Sequence, residues 1–414
     1  MSQDVDTTAQ RSTKWPMAAL LTANGVSVTG DMMARLAVPW FVLETTGSAT
    51  QTGVIGVAIT VPAIIAGIWG GGLIDRFGHR RSSLWSDLAS GGTTAMIPLL
   101  FFTVGLPFWL LVTLVFLGSL LDAPGRSARK ALYPRLVTLA GTALERATSA
   151  YDGADRAGLL LGGPIAGALI AFIGPANVLW VNAATFVVSA VLTFVAVPTD
   201  PLPGTASQPL ALRAYLSEVR EGLSFIAAEP LVRVTVVVML LLNAIDGTTV
   251  VIAPVYADQF LGGAADLGLL MGGLGLGAFG GTVAFGVVGH RLARRAVFVA
   301  GFLLLGSRFI AFALGGELLV LLAVMLIAGL GAGPINPIMD ALLYERVPEQ
   351  LRGRVFATIS AATLTAVPAG TIAAGYLAEV LPIRTVFAAF AVPYLLIAST
   401  PIWSGPWRRQ GTSS

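Results

Sequence analysis

Twelve apolar windows, most of them near the ~20 residues a helix needs to cross a bilayer, follow one another along this 414-residue chain and leave it few folds to choose from. They are Met17–Leu43, Gly53–Ile74, Ser83–Val104, Leu106–Leu121, Ala150–Ile173, Val178–Val197, Val234–Ala257, Leu267–Val288, Ala296–Leu314, Leu318–Met339, Phe356–Val380 and Val386–Trp403. The connections between them are short, with no room for a large domain outside the membrane. Charged residues make up 11% of the sequence, against about 25% in an ordinary soluble protein, which excludes a soluble globular enzyme. The 48 glycines and 23 prolines sit inside runs of Leu, Val, Ala, Ile and Phe, whereas disorder requires low hydrophobicity. Cysteine is absent and there are two histidines, so thiolate chemistry, disulfides and a zinc centre are ruled out and no cofactor or metal is expected. The first window is too long and too polar inside for a signal-peptide core and is expected to stay attached.

Orientation follows from the basic residues, which are retained on the cytoplasmic side. The two termini and the alternate connections holding Arg76/Arg80/Arg81, Arg126 to Arg146, Arg213 to Arg233, Arg291/Arg294/Arg295 and Arg346/Arg352/Arg354 carry 21 of the 25. The opposite connections carry one, Arg384. Both termini are therefore expected in the cytoplasm. The net charge of +3 belongs to this membrane-surface pattern and not to nucleic-acid binding, since the clusters lack interleaved aromatics.

The longest connection opens on a Pro/Gly/Thr/Ser stretch through Pro209 and continues with Leu212, Leu216, Val219, Leu223 and Ile226 on one helical stripe. It predicts an amphipathic helix, either lying on the inner membrane surface or packed on the cytoplasmic loops. The expected organisation is an N-terminal six-helix bundle over residues 1–198, a cytoplasmic linker over 199–233 and a C-terminal six-helix bundle over 234–414.

An internal repeat supports that division. Asp31 with Pro39 returns as Asp246 with Pro254, Gly78-His79-Arg80 returns as Gly289-His290-Arg291, and Pro124 with Ala131-Leu132-Tyr133 returns as Pro334 with Ala341-Leu342 and Tyr344. Two parallel six-helix repeats form the layout of a transporter whose halves rock about a central site.

The segment Gly71-x-x-x-Asp75-Arg76-x-Gly78-His79-Arg80-Arg81 resembles the signature loop between the second and third spans of the major facilitator superfamily, with His79 where a basic residue is usual. A closer resemblance, to the macrolide-efflux and multidrug-exporter branch with its Tap-like drug exporters, rests on Gly30-Asp31, Pro39-Trp40, Thr46-Gly47-Ser48-Ala49, Asp87, Gly162-Gly163-Pro164 and Leu351-Arg352-Gly353-Arg354-Val355. It implies the twelve-helix major facilitator fold in the cell inner (cytoplasmic) membrane, a transporter and not an enzyme, and proton-coupled efflux of amphiphilic compounds by a monomer. Gly158, Gly163, Pro164 and Gly167 resemble the antiporter motif of the fifth span, although Ala168 replaces its second closing glycine. The fourth span departs from many drug antiporters, its first arginine, Arg126, falling past the expected helix end.

Charges at mid-membrane cost a few kcal/mol and usually face a cavity or a partner. Asp31 lies roughly 22 Å along its helix from Pro16 and Asp246 roughly 18 Å from Val234, at 1.5 Å per residue. Asp31 and Arg35, four apart, share a face and can pair; Asp246 has no basic residue near it on its own helix. Asp31, Arg35 and Asp246 are the expected proton-coupling residues, with Asp246 holding the proton more firmly and Asp31–Arg35 forming a breakable ion pair. A static bridge for Asp31–Arg35 and, for Asp246, a carboxyl hydrogen-bonded to an adjacent helix are the competing readings. Arg308 is expected to make a structural pairing.

The substrate cavity is expected to draw on Asn24, Asp31, Arg35, Trp40, Asn243 and Asp246, Trp40 serving equally well as an interface anchor. Apolar walls with so few charges suit an amphiphile, cationic ones included, better than a sugar or phosphate. By the family resemblance, Gly71, Asp75, Arg76, Gly78, Arg80 and Arg81 form a conformational latch, which Asp122 and Arg126 would join. Export of an endogenous siderophore or secondary metabolite is the alternative to drug efflux. No nucleophile–base pair, metal spacing or phosphate-cradling loop supports an enzyme.

Overall fold

The computed structural model describes residues 14–142, 144–199 and 212–409; the side chains at 67–76, 144–149, 152, 159, 212–216, 218, 290 and 408–409 lie outside that description. Its long helices are α1 (Trp15–Thr46), α2 (Ala49–Phe77), α3 (His79–Thr103), α4 (Phe108–Ala140), α5 (Leu144–Ile173) and α6 (Pro175–Ala196). After the linker come α7 (Leu212–Ala228), α8 (Pro230–Gly247), α9 (Thr249–Phe260), α10 (Ala264–Val288), α11 (Arg294–Leu314), α12 (Leu318–Ala332), α13 (Ile335–Arg346), α14 (Arg352–Val380), α15 (Ile383–Trp403) and the short α16 (Gly405–Arg409).

Among the described residues, eleven spans are long and apolar enough to cross a membrane, with α8–α9 and α12–α13 each making one. The remaining expected span is α3. Its 25 residues give the length, but Ser82, Ser83, Ser86, Asp87 and Ser90 dilute its apolar content, and all five are buried. α3 can carry them because it packs on α4 and α6 and turns that polar face toward protein.

Turns are tight where glycine permits them. Gly47 adopts φ 64° after α1 and its N–H is donated to the Leu43 carbonyl at 2.8 Å, so the chain reverses into α2 within two residues. α1 packs on α5 and α6, α3 on α4 and α6, α10 on α12, and α11 on α12 and α15. An aromatic cluster of Tyr256, Phe309, Phe312, Phe387 and Tyr394 fills the core between α9, α11 and α15.

The linker does form a helix, α7, and it packs on α14 and α8. Gly222 lets it approach, since a Cβ there would stand 3.0 Å from the Arg354 carbonyl oxygen. The Glu221–Arg354 ion pair closes the same contact, and Ile226 is buried in the core. The Pro/Gly-rich stretch before it lies largely outside the described residues.

Candidate functional site

The arginines of α4 organise the charges of the first six helices. α4 continues to Ala140, so Arg126 lies within the helix and not beyond it, contrary to the sequence expectation. The apolar window ends at Leu121, but the helix persists as a two-sided one, burying Ala128, Arg129, Leu132, Tyr133, Leu136 and Val137 while Lys130, Arg135 and Thr138 stay exposed. Arg126 donates to Asp122 one turn earlier, at 3.2 Å, and reaches Asp31 of α1 at 3.5 Å. Three residues on, Arg129 points the other way, into the packed interior. Its Nη1 donates to Asp87 of α3 at 2.5 Å and its Nη2 to Ser27 of α1 at 3.1 Å, while Ser189 of α6 donates to the second Asp87 oxygen at 2.8 Å. Both ionic side chains are fully buried. Low dielectric makes such a pair strong when complete and expensive when broken.

Asp31 therefore pairs across helices with Arg126, and the expected Asp31–Arg35 ion pair is not among the bridges of the described residues. Asp246 is likewise held from another helix: Arg308 of α11 donates to it, with the guanidinium also lying over the Phe309 ring. Arg308 is thus paired with a carboxylate of another helix. Asp246 stands beside a break in its span, where α8 ends at Gly247 and α9 begins at Thr249. Thr371 of α14 donates to the Gly247 carbonyl at 3.3 Å, occupying an acceptor that the break exposes.

Three neighbouring cavities open around α1, and Arg35 lines all of them. One of about 90 Å³ lies within the first six helices and includes Asp31, Asp122, Arg126 and Asn182. A second, about 390 Å³, runs along Asn24, Asp31, Arg126, Lys130 and Asp155. The third is a chamber of about 490 Å³ between the halves, with walls from α1, α5, α9, α10, α11 and α12. Its lining is mostly apolar and includes Leu36, Val250, Met271 and Leu305. This volume is within the range of small-molecule sites.

The halves meet where small residues allow backbones to touch. On α5, Gly158 and Gly162 face Val28, Thr29 and Met32 of α1, whereas Gly163 and Gly167 face Met271, Gly268 and Ala264 of α10. A Cβ on Gly167 would fall 2.7 Å from the Gly268 Cα. α2 and α14 form the second seam: a Cβ on Gly53 would stand 3.0 Å from the Thr371 carbonyl oxygen and 3.4 Å from the Gly375 Cα. At its end the Glu379 carboxylate of α14 accepts from the Thr50 backbone N–H at 3.1 Å, the Thr50 hydroxyl at 3.3 Å and the Ser48 hydroxyl at 3.4 Å. A carboxylate from one half thereby caps the first turn of α2 in the other, the favourable end of the helix dipole.

Of the residues singled out in the sequence, Asn24, Asp31 and Arg35 line cavities, with Asn24 donating to Asp155 at 2.5 Å and accepting from Tyr151 at 3.1 Å. Asp122 and Arg126 line the first cavity. Asn243 donates to the Met239 carbonyl on its own helix. Trp40 is buried in an apolar cluster near Gly263. Gly78 precedes α3, where Arg80 donates to the Phe194 carbonyl of α6 at 2.6 Å and Arg81 is exposed. The side chains of Gly71, Asp75 and Arg76 lie outside the described residues. Sequence reasoning missed Arg129 as the partner of Asp87, and Glu379; Arg129 was visible only as one of several arginines after the fourth apolar window.

A bundle with eleven spans, among the described residues, long and apolar enough to cross a membrane, and with a chamber among its helices, has the build of a multi-pass membrane protein. Residues 20–262 and 234–406 match the family model described as Major Facilitator Superfamily, and the chain belongs to that superfamily. It is similar to the multidrug efflux pump Tap of Mycolicibacterium fortuitum, at 28% identity over 393 residues, covering 94% of this chain and 95% of that protein. Tap of Mycobacterium tuberculosis is also 28% identical, over 391 residues, with 93% and 92% covered. Among solved structures, the nucleoside transporter NupG shares the fold with a TM-score of 0.74 at 14% identity, covering 96% of this chain and 100% of that one. The protein is a transporter of the cell membrane and not an enzyme.

Proposed function

We propose that this chain exports amphiphilic drugs or other toxic small molecules across the inner membrane by alternating access, coupled to protons. The observation that carries the reading is the chamber between the halves, walled by α1 and α5 on one side and by α9, α10, α11 and α12 on the other. The likeness to pumps named for multidrug efflux supports the substrate class. In this reading α3 is a twelfth span, residues 1–198 and 234–414 are the rocking halves of a monomer, and both termini are cytoplasmic. The excess of arginine on one set of connections supports that orientation.

Asp31 and Asp246 are the coupling carboxylates. Each faces an arginine from another helix, so taking up a proton releases that arginine and loosens a bridge between helices. Proteoliposomes with an imposed pH gradient and a panel of amphiphiles test this. Wild-type protein is expected to accumulate substrate against its gradient. Asp31→Asn and Asp246→Asn are each expected to abolish the pH-driven component while leaving downhill exchange. Accumulation that ignores the pH gradient would remove proton coupling, and full pH-driven transport by both variants would remove these residues from it.

The Glu379 contact closes the face away from the arginine clusters in the same scheme. Glu379→Ala removes a charged acceptor of three hydrogen bonds, and a reporter Ala253→Cys in the chamber is then expected to react several-fold faster with a membrane-impermeant thiol reagent added from that face. An unchanged labelling rate would show that the seam glycines close it unaided.

A further inference from the structure

The charges around the chamber are not distributed as the sequence suggested. Among the described residues lining it, the charged ones are Arg35 and Arg308, and no Asp or Glu is part of that lining. Arg308 is already occupied by Asp246. Arg35 is exposed in the cavities and makes no ion pair or side-chain hydrogen bond among the described residues. The carboxylate nearest to it in sequence, Asp31, lines the two smaller cavities but not this chamber, and is engaged by Arg126.

Resting on the efflux reading above, we infer that the preferred cargo is an amphiphile with an apolar body and an anionic headgroup of carboxylate type, which Arg35 receives. A guanidinium offers a planar fork of N–H donors that matches a carboxylate in two parallel hydrogen bonds. Apolar walls weaken screening around it, so a headgroup meeting Arg35 there gains more than it would in water. A cationic headgroup in the same position meets a like charge on Arg35 and no carboxylate on the chamber wall. The apolar body lies against Leu36, Val250, Met271 and Leu305. Arg35 also borders the two smaller cavities, so an anion held there lies close to the Asp31–Arg126 bridge and competes with Asp31 for the arginines. Cargo recognition and the coupling carboxylate then share one guanidinium wall.

The test uses three probes of one aromatic body: 9-anthracenecarboxylate, its methyl ester and 9-(aminomethyl)anthracene. Binding to the purified full chain in detergent is measured by fluorescence for wild type, Arg35→Gln and Arg35→Lys, with melting temperatures reporting the fold. Wild type is expected to bind the acid at least about tenfold more tightly than the ester or the amine, a modest factor for a guanidinium–carboxylate pair. Arg35→Gln should bring the acid-to-ester ratio close to one, and Arg35→Lys should restore part of it. Failure of the acid to bind, equal or tighter binding of the amine, or a ratio that survives Arg35→Gln overturns the inference. Vesicle transport is read separately. Arg35-dependent acid binding without outward movement would sink the efflux reading and leave the charge preference standing, whereas outward movement of the amine or ester alone would do the reverse.

Discussion

Replacing Arg129 by methionine is expected to lower the stability of the fold by about 3–5 kcal/mol, the loss seen when one partner of a buried ion pair is removed. The Asp87 carboxylate would keep the Ser189 hydroxyl as its donor and lose its counter-charge. Ser27 of α1 would lose its contact with α4 at the same time. Because the pair joins α3 to α4 and its hydrogen bonds reach α1 and α6, the loss is expected to appear as a lower melting temperature of the whole detergent-solubilised protein. It should not appear as local fraying. The double variant Arg129→Met with Asp87→Leu, which removes both charges, is expected to recover much of that loss. A single variant melting with wild type would mean that the pair contributes nothing to the fold.

The second large effect is expected from Gly167→Val. The added Cβ would stand 2.5 Å from the Ala264 carbonyl oxygen and 2.7 Å from the Gly268 Cα. Both obstacles are backbone, so no side chain can swing aside, and α5 and α10 must separate. The half-to-half seam then cannot close, and transport is expected to fall by at least about tenfold, the factor produced by ~1.4 kcal/mol against the closed arrangement. The Ala253→Cys reporter would become more reactive from the arginine-poor face. The native chain contains no cysteine, so the reporter signal is unambiguous. Normal transport by Gly167→Val would mean that close approach of these two helices is dispensable to the cycle.

The spans were legible because apolar length is a one-dimensional property: each window found in the sequence overlaps a helix, or two successive helices in the cases of α8–α9 and α12–α13. What the windows concealed was where helices go on after the apolar run stops. α4 passes Leu121 by more than four turns to reach Ala140, with one face buried and the other carrying exposed Lys130 and Arg135, a two-sided pattern that an apolar-run search does not register. α3 shows the same limit from the other side, its buried serines depressing its hydropathy. Ion pairs were less legible still. The i,i+4 rule favoured Asp31–Arg35, yet Asp31 takes Arg126 from 95 residues away and Asp246 takes Arg308 from 62 residues away. Helix neighbours in space are chosen by packing, which local spacing does not encode.

α5 presents glycines on two faces, one to its own bundle and one to the other, while the chamber beside it is walled mostly by ordinary side chains from other helices. In the proposed reading, the residues that would decide what is carried are thus largely separate from those that would let the molecule shut. Substitutions at Leu36, Val250 or Leu305 can reshape the compartment without touching a backbone junction. Divergence in cargo is therefore expected to accumulate along α1, α9 and α11, with α5 retained as the common bearing among otherwise specialised descendants.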